Sequence, residues 1–519
     1  MSLRARFAVL LLTISALTCQ STSKIWQSLS TQSNSPTTSL YALDKSTIVP
    51  ASLTPTYTVS PSPTSTFTAS PSPSPTLTTT PTKRPTPSPH HLQVFDEIWN
   101  TVNENYLYSD FNGVDWYAIN NEYRHRIESG LNDDEFYLAM DEMISKLGDE
   151  HSKFFNPEQV AAMDIETESG YDYVGIGILS TALSERDYIT IILTFPGGPA
   201  EEAGLQSHDN ILEVDGHAII DETGIRYDLL RGIEGSQAVL TVQSPGGEPR
   251  YVNIVRSLIT GSIPVPNTTL TTQNGNQIGY ILIPTFTNNN IDEQIKAALI
   301  ELTSNPPLDG LIIDNRQNRG GGSDVFMNSI AYFTSGILGH FIDRENERPL
   351  SVKGENVYGS QEIPLVVLIG RDTVSFGEVF AGILQDIGRA YLIGEQTDGN
   401  VEVLHVFDFT DGSRAWIAQE TFRPLNHPQQ DWEISGIIPD QTIISYWDEV
   451  VLDTDPAVIA ALKYFEKNEG RLPFYWHPNL FLMSVNIISL DSSDWVSSSI
   501  RSQVEHKLGV IPRANRFAW

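Results

Sequence analysis

Ser375 lies in "DTVSFGEVFAG" (Asp372 to Gly382), after the apolar run "IPLVVLIG" and at the start of a helical pattern. A serine at a strand-to-helix turn is where many hydrolases hold their nucleophile. Ser375 and Glu378 are equally a Ser-x-x-Glu capping box, in which the hydroxyl only ties off a helix start. These residues alone leave both readings open. A nucleophilic serine needs a proton acceptor and donors aimed at the developing oxyanion. The N–H of Phe376, the next residue, is one candidate donor, and a helix N-terminus favours the oxyanion. His405, on the alternating "VEVLHVFDF", is one candidate base, but the alternation reads it as a half-buried strand residue. There is no His-Glu-x-x-His and no cysteine cluster, so nothing resembles a metal set and no cofactor is expected.

The elements that must position these groups follow from periodicity. "IGYILIPTF" and "DGLIIDNR" read as buried strands, with the helical "IDEQIKAALIEL" between them. "IPLVVLIG" then leads into the Ser375 helix, whose apolar positions are Phe376, Val379, Phe380, Ile383, Leu384 and Ile387. This alternation predicts an α/β core over residues 259–465, with a largely parallel sheet and covering helices. Ligands of open sheets sit beyond the carboxyl ends of strands. Ser375 and the glycine run at Gly320 both fall there. Residues 91–165 read as helical; in "DDEFYLAMDEMISKLGDEH" one apolar face runs from Phe136 to Leu147 and stops at Gly148. Residues 166–258 carry short strands ("YVGIGIL", "YITIILTF", "NILEVDG", "AVLTVQ", "RYVNIVRS") and predict a small β-rich module.

The ends of the chain differ from its middle. Met1 to Cys19 has two arginines, an apolar stretch and then the only cysteine, the pattern of a secretory signal too short to span a bilayer. A single cysteine excludes an intrachain disulfide. Its position resembles the lipobox of bacterial lipoproteins, with Ala16-Leu17-Thr18 where Leu-Ala-Gly is typical; lipidation of Cys19 would anchor the protein without a membrane helix. Residues 20–90 are rich in Ser, Thr and Pro and predict a disordered stalk. The charge is 32 basic against 64 acidic residues, net −32, which leaves no basic face for nucleic acid. The reading is therefore extracytoplasmic: secreted, or anchored on the outer face of a bacterial membrane. Residues 466–519 are aromatic-rich and carry no assignable role; the oligomeric state is equally unmarked.

Several blocks together resemble a known family. "YVGIGI" (Tyr173, Val174, Gly175, Ile176, Gly177, Ile178) resembles the carboxylate-binding loop of a PDZ domain, and "GGPAEEAGLQSHDNILEVDG" resembles the stretch around its short helix. PDZ domains bind an extended peptide as an added strand. "DNRQNRGGG", "VSFGEVFAGILQDIGRAYLIGEQTDGN", "LGDEHSKFF" and "GIIPD" resemble blocks of the tail-specific (carboxyl-terminal processing) serine peptidases, and the likeness covers residues 93–462. It implies a crotonase/ClpP-like core and peptidase activity on polypeptides through an acyl-enzyme, with Ser375 as nucleophile and Gly320 as a second oxyanion donor. One position departs from it. The lysine type carries Gly-Lys-Gly where this chain has "TDGNVEVLHV", so Asn400 replaces the basic lysine. The tricorn-like relatives use histidine and glutamate instead, and the matching positions here are His151 and Glu433, with Ser152 as an auxiliary hydrogen-bonding group. Imidazole titrates near neutrality and can take the serine proton. The alternative from another class is an inactive homologue that tethers peptides through its PDZ-like module.

Overall fold

Every residue of the strands Gly310–Asp314 and Leu365–Ile369 is buried, as unbroken apolar runs require of strands covered on both faces. They form the centre of a six-stranded sheet in the order Asn267–Thr271, Gln277–Leu282, Gly310–Asp314, Leu365–Ile369, Tyr391–Gly394, Gln441–Thr442. The first pair is antiparallel and the others are parallel, as the strand–helix alternation predicts. Helices Ile291–Thr303, Ser323–Ala331, Phe376–Asp386 and Pro456–Asn468 bring Ile295, Phe326, Phe380 and Phe465 into one apolar core with it. The computed structural model describes residues 86–468, apart from 150, 169–171, 184–185, 223, 289 and 305–306. The signal segment with Cys19, the stalk up to residue 85 and the extension beyond 468 lie outside the described residues. No helix among those described is long and apolar enough to cross a membrane.

A second, antiparallel sheet is built around the eleven-residue strand Arg414–Pro424, which pairs with Val403–Asp408, Gly336–Ile342 and Lys153–Phe155. The helices Pro89–Asn105, Trp116–Glu128 and Asp133–Ser145 pack on it: Phe95, Ile98, Phe136 and Met140 share a core with Ala415, Ile417 and Ala418. The helical reading of 91–165 therefore breaks at Lys153–Phe155, a three-residue strand too short to carry a period. The third helix ends at Ser145, and Gly148 follows with φ +71° in the turn that leads to His151.

The β-rich module is an antiparallel sheet in the order Arg250–Val255, Gln237–Gln243, Asn210–Val214, Ile189–Thr194, with Ile178–Thr181 at its edge. Tyr173–Gly175 leaves that sheet and pairs with Ser257–Ile259. A segment of the core fastens the module down. Trp447 stacks on His208 with ring centroids 4.0 Å apart and donates from its indole to the Ile191 carbonyl (3.1 Å). Its other neighbour is Arg316, whose guanidinium lies 5.1 Å from the Trp447 ring and is ion-paired with buried Asp314 (2.6 Å) and Asp455 (2.7 Å). Arg316 belongs to the loop that leads to Gly320, so that loop is braced from both sides.

Candidate active site

The chain leaves the strand Leu365–Ile369 through a turn fixed by Thr373. The Thr373 hydroxyl accepts from the Gly370 N–H (3.0 Å) and donates to the Asn315 carbonyl (2.9 Å), while the Val374 N–H donates to the Asn318 carbonyl (3.0 Å). Ser375 then adopts φ 56°, ψ −128°, a conformation rare for a residue with a Cβ, before the helix Phe376–Asp386 begins. Such backbone costs on the order of 1–3 kcal/mol and persists only where its surroundings over-determine it. It is the sharp strand-to-helix elbow that lifts a serine out of a sheet. The pairing of Ser375 with Glu378 has the capping-box form, but its bond runs from the Ser375 N–H to the Glu378 carboxylate (3.2 Å), and the hydroxyl makes no cap hydrogen bond.

Beside this elbow lie both sequence-predicted oxyanion donors. The Phe376 N–H has no hydrogen-bond partner among the described residues. Gly320, with φ +83°, faces it so closely that an added Cβ would stand 2.9 Å from the Phe376 nitrogen and 3.1 Å from Ser375 Oγ. The Gly320 N–H itself donates to Asn318 Oδ1 (2.9 Å), so it could serve an oxyanion only by sharing or releasing that bond.

Glu378 is fully buried and joins three segments. Besides the Ser375 N–H, its carboxylate accepts from the Thr397 hydroxyl (2.5 Å) and the Gly399 N–H (3.1 Å). Thr397 Oγ1 in turn accepts from the Ile437 N–H (2.7 Å). Burial pushes the Glu378 carboxyl up to about 7 against the pull of these hydrogen bonds, and the charge of Glu433 adds to the rise.

Two residues beyond Gly399 the same loop holds the second pair. Glu433, in the one-turn helix Trp432–Ser435, accepts on Oε2 from the N–H groups of Val401 (2.7 Å) and Glu402 (3.2 Å) and lies 2.8 Å from His151 Nε2 through Oε1. Burial raises this carboxyl, but the His151 hydrogen bond and charge and then the two N–H groups outweigh it and hold it below the usual value. Glu433 is therefore ionised at neutral pH, and His151 Nε2 donates to it. His151 is 4% exposed, and its turn is set by Asp149, which accepts from the His151 (3.0 Å) and Ser152 (2.5 Å) N–H groups.

The structure thus brings Ser375, Phe376 and Gly320 together, and His151 and Glu433 together, with the segment Thr397–Glu402 bonded to Glu378 on one side and to Glu433 on the other. No hydrogen bond joins the Ser375 hydroxyl to His151. Ser152 turns its hydroxyl to the Ala418 N–H (3.1 Å), where it pins the long strand instead of His151. His405 is paired with Glu420 (3.2 Å) on the strand Val403–Asp408, as its alternation predicts. Asn400 lies in the loop between Gly399 and Val401. Residues 173–178 belong to the β-rich module. Two residues near His151 went unnoticed in the sequence: buried Glu402, whose carboxyl burial pushes up to about 7 with help from the Glu433 charge, and partly buried Tyr108, whose hydroxyl donates to it.

Known proteins resemble this chain over much of its length. Residues 277–443 match peptidase family S41, and residues 87–145 match the tricorn protease C1 domain. A carboxyl-terminal-processing protease of Synechocystis sp. is 30% identical over 355 residues, covering 66% of this chain and 79% of that protein. Chloroplastic carboxyl-terminal-processing peptidase 2 of Arabidopsis thaliana is 28% identical over 361 residues, 67% of this chain and 68% of its own. Among solved structures, the photosystem II D1 C-terminal processing protease is similar with a TM-score of 0.50 at 28% identity, over 69% of this chain and 93% of that one. An S41 protease from Bacteroides fragilis shares the fold with a TM-score of 0.52 at 17% identity, over 72% and 97%. The chain belongs to peptidase family S41, the carboxyl-terminal-processing proteases, and is a serine-type peptidase.

Proposed function

We propose that the protein is an extracytoplasmic endopeptidase, secreted or held on the outer face of a bacterial membrane through a lipidated Cys19, that cleaves polypeptides near their carboxyl termini. Residues 20 to about 87 are the stalk, about 88–165 the helical N-terminal domain, 166–258 a PDZ-like domain and 259 to about 468 the crotonase/ClpP-like peptidase core. A substrate tail adds as a strand along the edge Ile178–Thr181, with its carboxylate on the backbone of the Tyr173–Ile178 loop. Ser375 attacks the scissile carbonyl, and His151 accepts its proton and passes it to the leaving amine. Since Nε2 serves Glu433, the nitrogen that exchanges this proton is Nδ1. Glu433 orients the ring and stabilises its charged form. The N–H groups of Phe376 and Gly320 receive the oxyanion, and water releases the acyl-enzyme with no cofactor.

The observation that carries this reading is the buried 2.8 Å pair of His151 and Glu433, held by the same loop that contacts Glu378 beneath the serine. Substrate-free hydrolase sites commonly hold their catalytic hydrogen bonds long and tighten them on binding. The second reading, a peptide-tethering homologue without activity, is favoured by Asn400 in place of the lysine and by the missing Ser375–His151 bond. A fluorophosphonate probe decides between them. Labelling of the wild type that disappears in Ser375→Ala supports the peptidase; a folded wild type that stays unlabelled supports the tether.

A further inference from the structure

Glu402 takes no part in the proposed hydrolysis, yet it is 5% exposed and lies against the His151–Glu433 pair. The Tyr108 hydroxyl donates to its Oε1, whereas Oε2 is buried without a hydrogen-bond partner among the described residues. A buried carboxylate oxygen left without a donor is costly and calls for an occupant. Oε2 stands 4.0 Å from His151 Nε2, which is itself 2.8 Å from Glu433 Oε1, and the ligand-type atoms of the three residues all lie within 4.8 Å of one another.

The two carboxylates are held alike. Each has one oxygen fixed by protein donors, Tyr108 for Glu402 and the Val401 and Glu402 N–H groups for Glu433, and each turns the other oxygen toward His151 Nε2. This is how outer partners orient carboxylates that bind a metal through one oxygen. Zinc bonds of about 2.0–2.2 Å in a tetrahedron separate neighbouring ligands by roughly 3.3 Å, between the 2.8 and 4.0 Å observed here. We infer that His151, Glu402 and Glu433 form a binding site for a divalent transition-metal ion of the zinc type, which takes the place of the proton between His151 and Glu433. An imidazole with two carboxylates suits zinc better than magnesium or calcium, which prefer oxygen alone.

Coordination uses the lone pair of Nε2, so the proton there moves to Nδ1 in the neutral ring or leaves for solvent from the imidazolium. Either way Nδ1 carries a proton in the metal-bound state and cannot accept one from Ser375. The ion is thus an inhibitor; that consequence rests on the proposed role of His151, whereas binding itself does not.

The test uses the full chain freed of metal, with Zn²⁺ titrated in competition with a chromogenic chelator and Co²⁺ followed by its visible absorption. One Zn²⁺ should bind per chain, unaffected by excess Mg²⁺. Affinity should fall at least about tenfold in Glu402→Gln, Glu433→Gln and His151→Ala, each checked for cooperative unfolding. If Glu402→Gln does not fold, the other two must show the loss. A wild type that binds no zinc, or zinc held equally by the folded variants, overturns the site. Fluorophosphonate labelling of the metal-free protein is read separately. Labelling without zinc binding removes the metal site alone, and zinc binding without labelling removes the peptidase reading alone.

Discussion

A Cβ placed on Gly320 would stand 2.7 Å from the Cβ of Ser375, closer than side chains approach without displacement. The glycine also has φ +83°, where an L-residue is strained whatever the space. Gly320→Ala should therefore push the loop away from the serine and the Phe376 N–H. We expect a loss of about 10²–10³-fold in kcat, the size seen when one oxyanion donor is removed. Steady-state kinetics with a peptide ester checks this, and a variant with unchanged kcat would mean that the loop supplies no donor.

The backbone of Ser375 makes a prediction about stability. With φ 56° and ψ −128°, its Cβ is tolerated only because the surrounding turn holds it. Glycine adopts this conformation freely, so Ser375→Gly should be more stable than Ser375→Ala by about 1 kcal/mol, after the greater freedom of glycine in the unfolded chain is included, and should unfold at a higher temperature. Both variants should be inactive. Calorimetry of the pair reads the difference, and equal stability would mean that the elbow stores no strain.

The choice of proton acceptor predicts a ranking. His151→Ala should lower kcat by about 10²–10⁴-fold. Glu433→Gln keeps a hydrogen-bonding group for the ring but removes the charge, and should fall in the same range. Asn400→Ala should stay within a few-fold of wild type, since an amide cannot take a proton from serine. If Asn400→Ala is crippled while His151→Ala is active, the base lies elsewhere.

The parts of this architecture that could be read from sequence are those encoded locally. The strands Gly310–Asp314, apolar up to its last residue, and Leu365–Ile369, apolar throughout, are covered on both faces, and the helix after Ser375 repeats its apolar face every three to four residues. The sheet around Arg414–Pro424 was not legible, because its partners at 153–155, 336–342 and 403–408 are distant and a three-residue strand has no period. The contact of His151 with Glu433 spans 282 residues, and no local pattern encodes it; only family resemblance suggested the pair. Glu402 escaped notice because nothing in the local pattern marks its carboxylate as buried, while the fold buries it against Tyr108. Glu378 looked like a helix cap, and the structure adds Thr397 and Gly399 to its partners.

Burial of Glu378 links stability to pH. Its carboxyl is raised to about 7 in the folded protein from an ordinary 4.5, so between these values the folded chain holds a proton that the unfolded chain has released. Unfolding then becomes easier as pH rises: the contribution is complete below about 4.5 and lost by the time pH passes about 7. Its size is up to about 3 kcal/mol. Glu378→Gln keeps an acceptor for the Ser375 N–H and cannot ionise, so it should flatten the decline in melting temperature between pH 5 and 7.5. Some slope will remain, because Glu402 is shifted in the same direction. Glu433 is shifted the other way, and its contribution is lost only as pH falls below the usual carboxylate range, outside this window. Melting curves of wild type and Glu378→Gln at pH 5, 6 and 7.5 measure the effect. Parallel curves would mean that the carboxylate beneath the serine is already ionised in the folded state at pH 5, and that its hydrogen bonds from Thr397, Gly399 and Ser375 outweigh its burial.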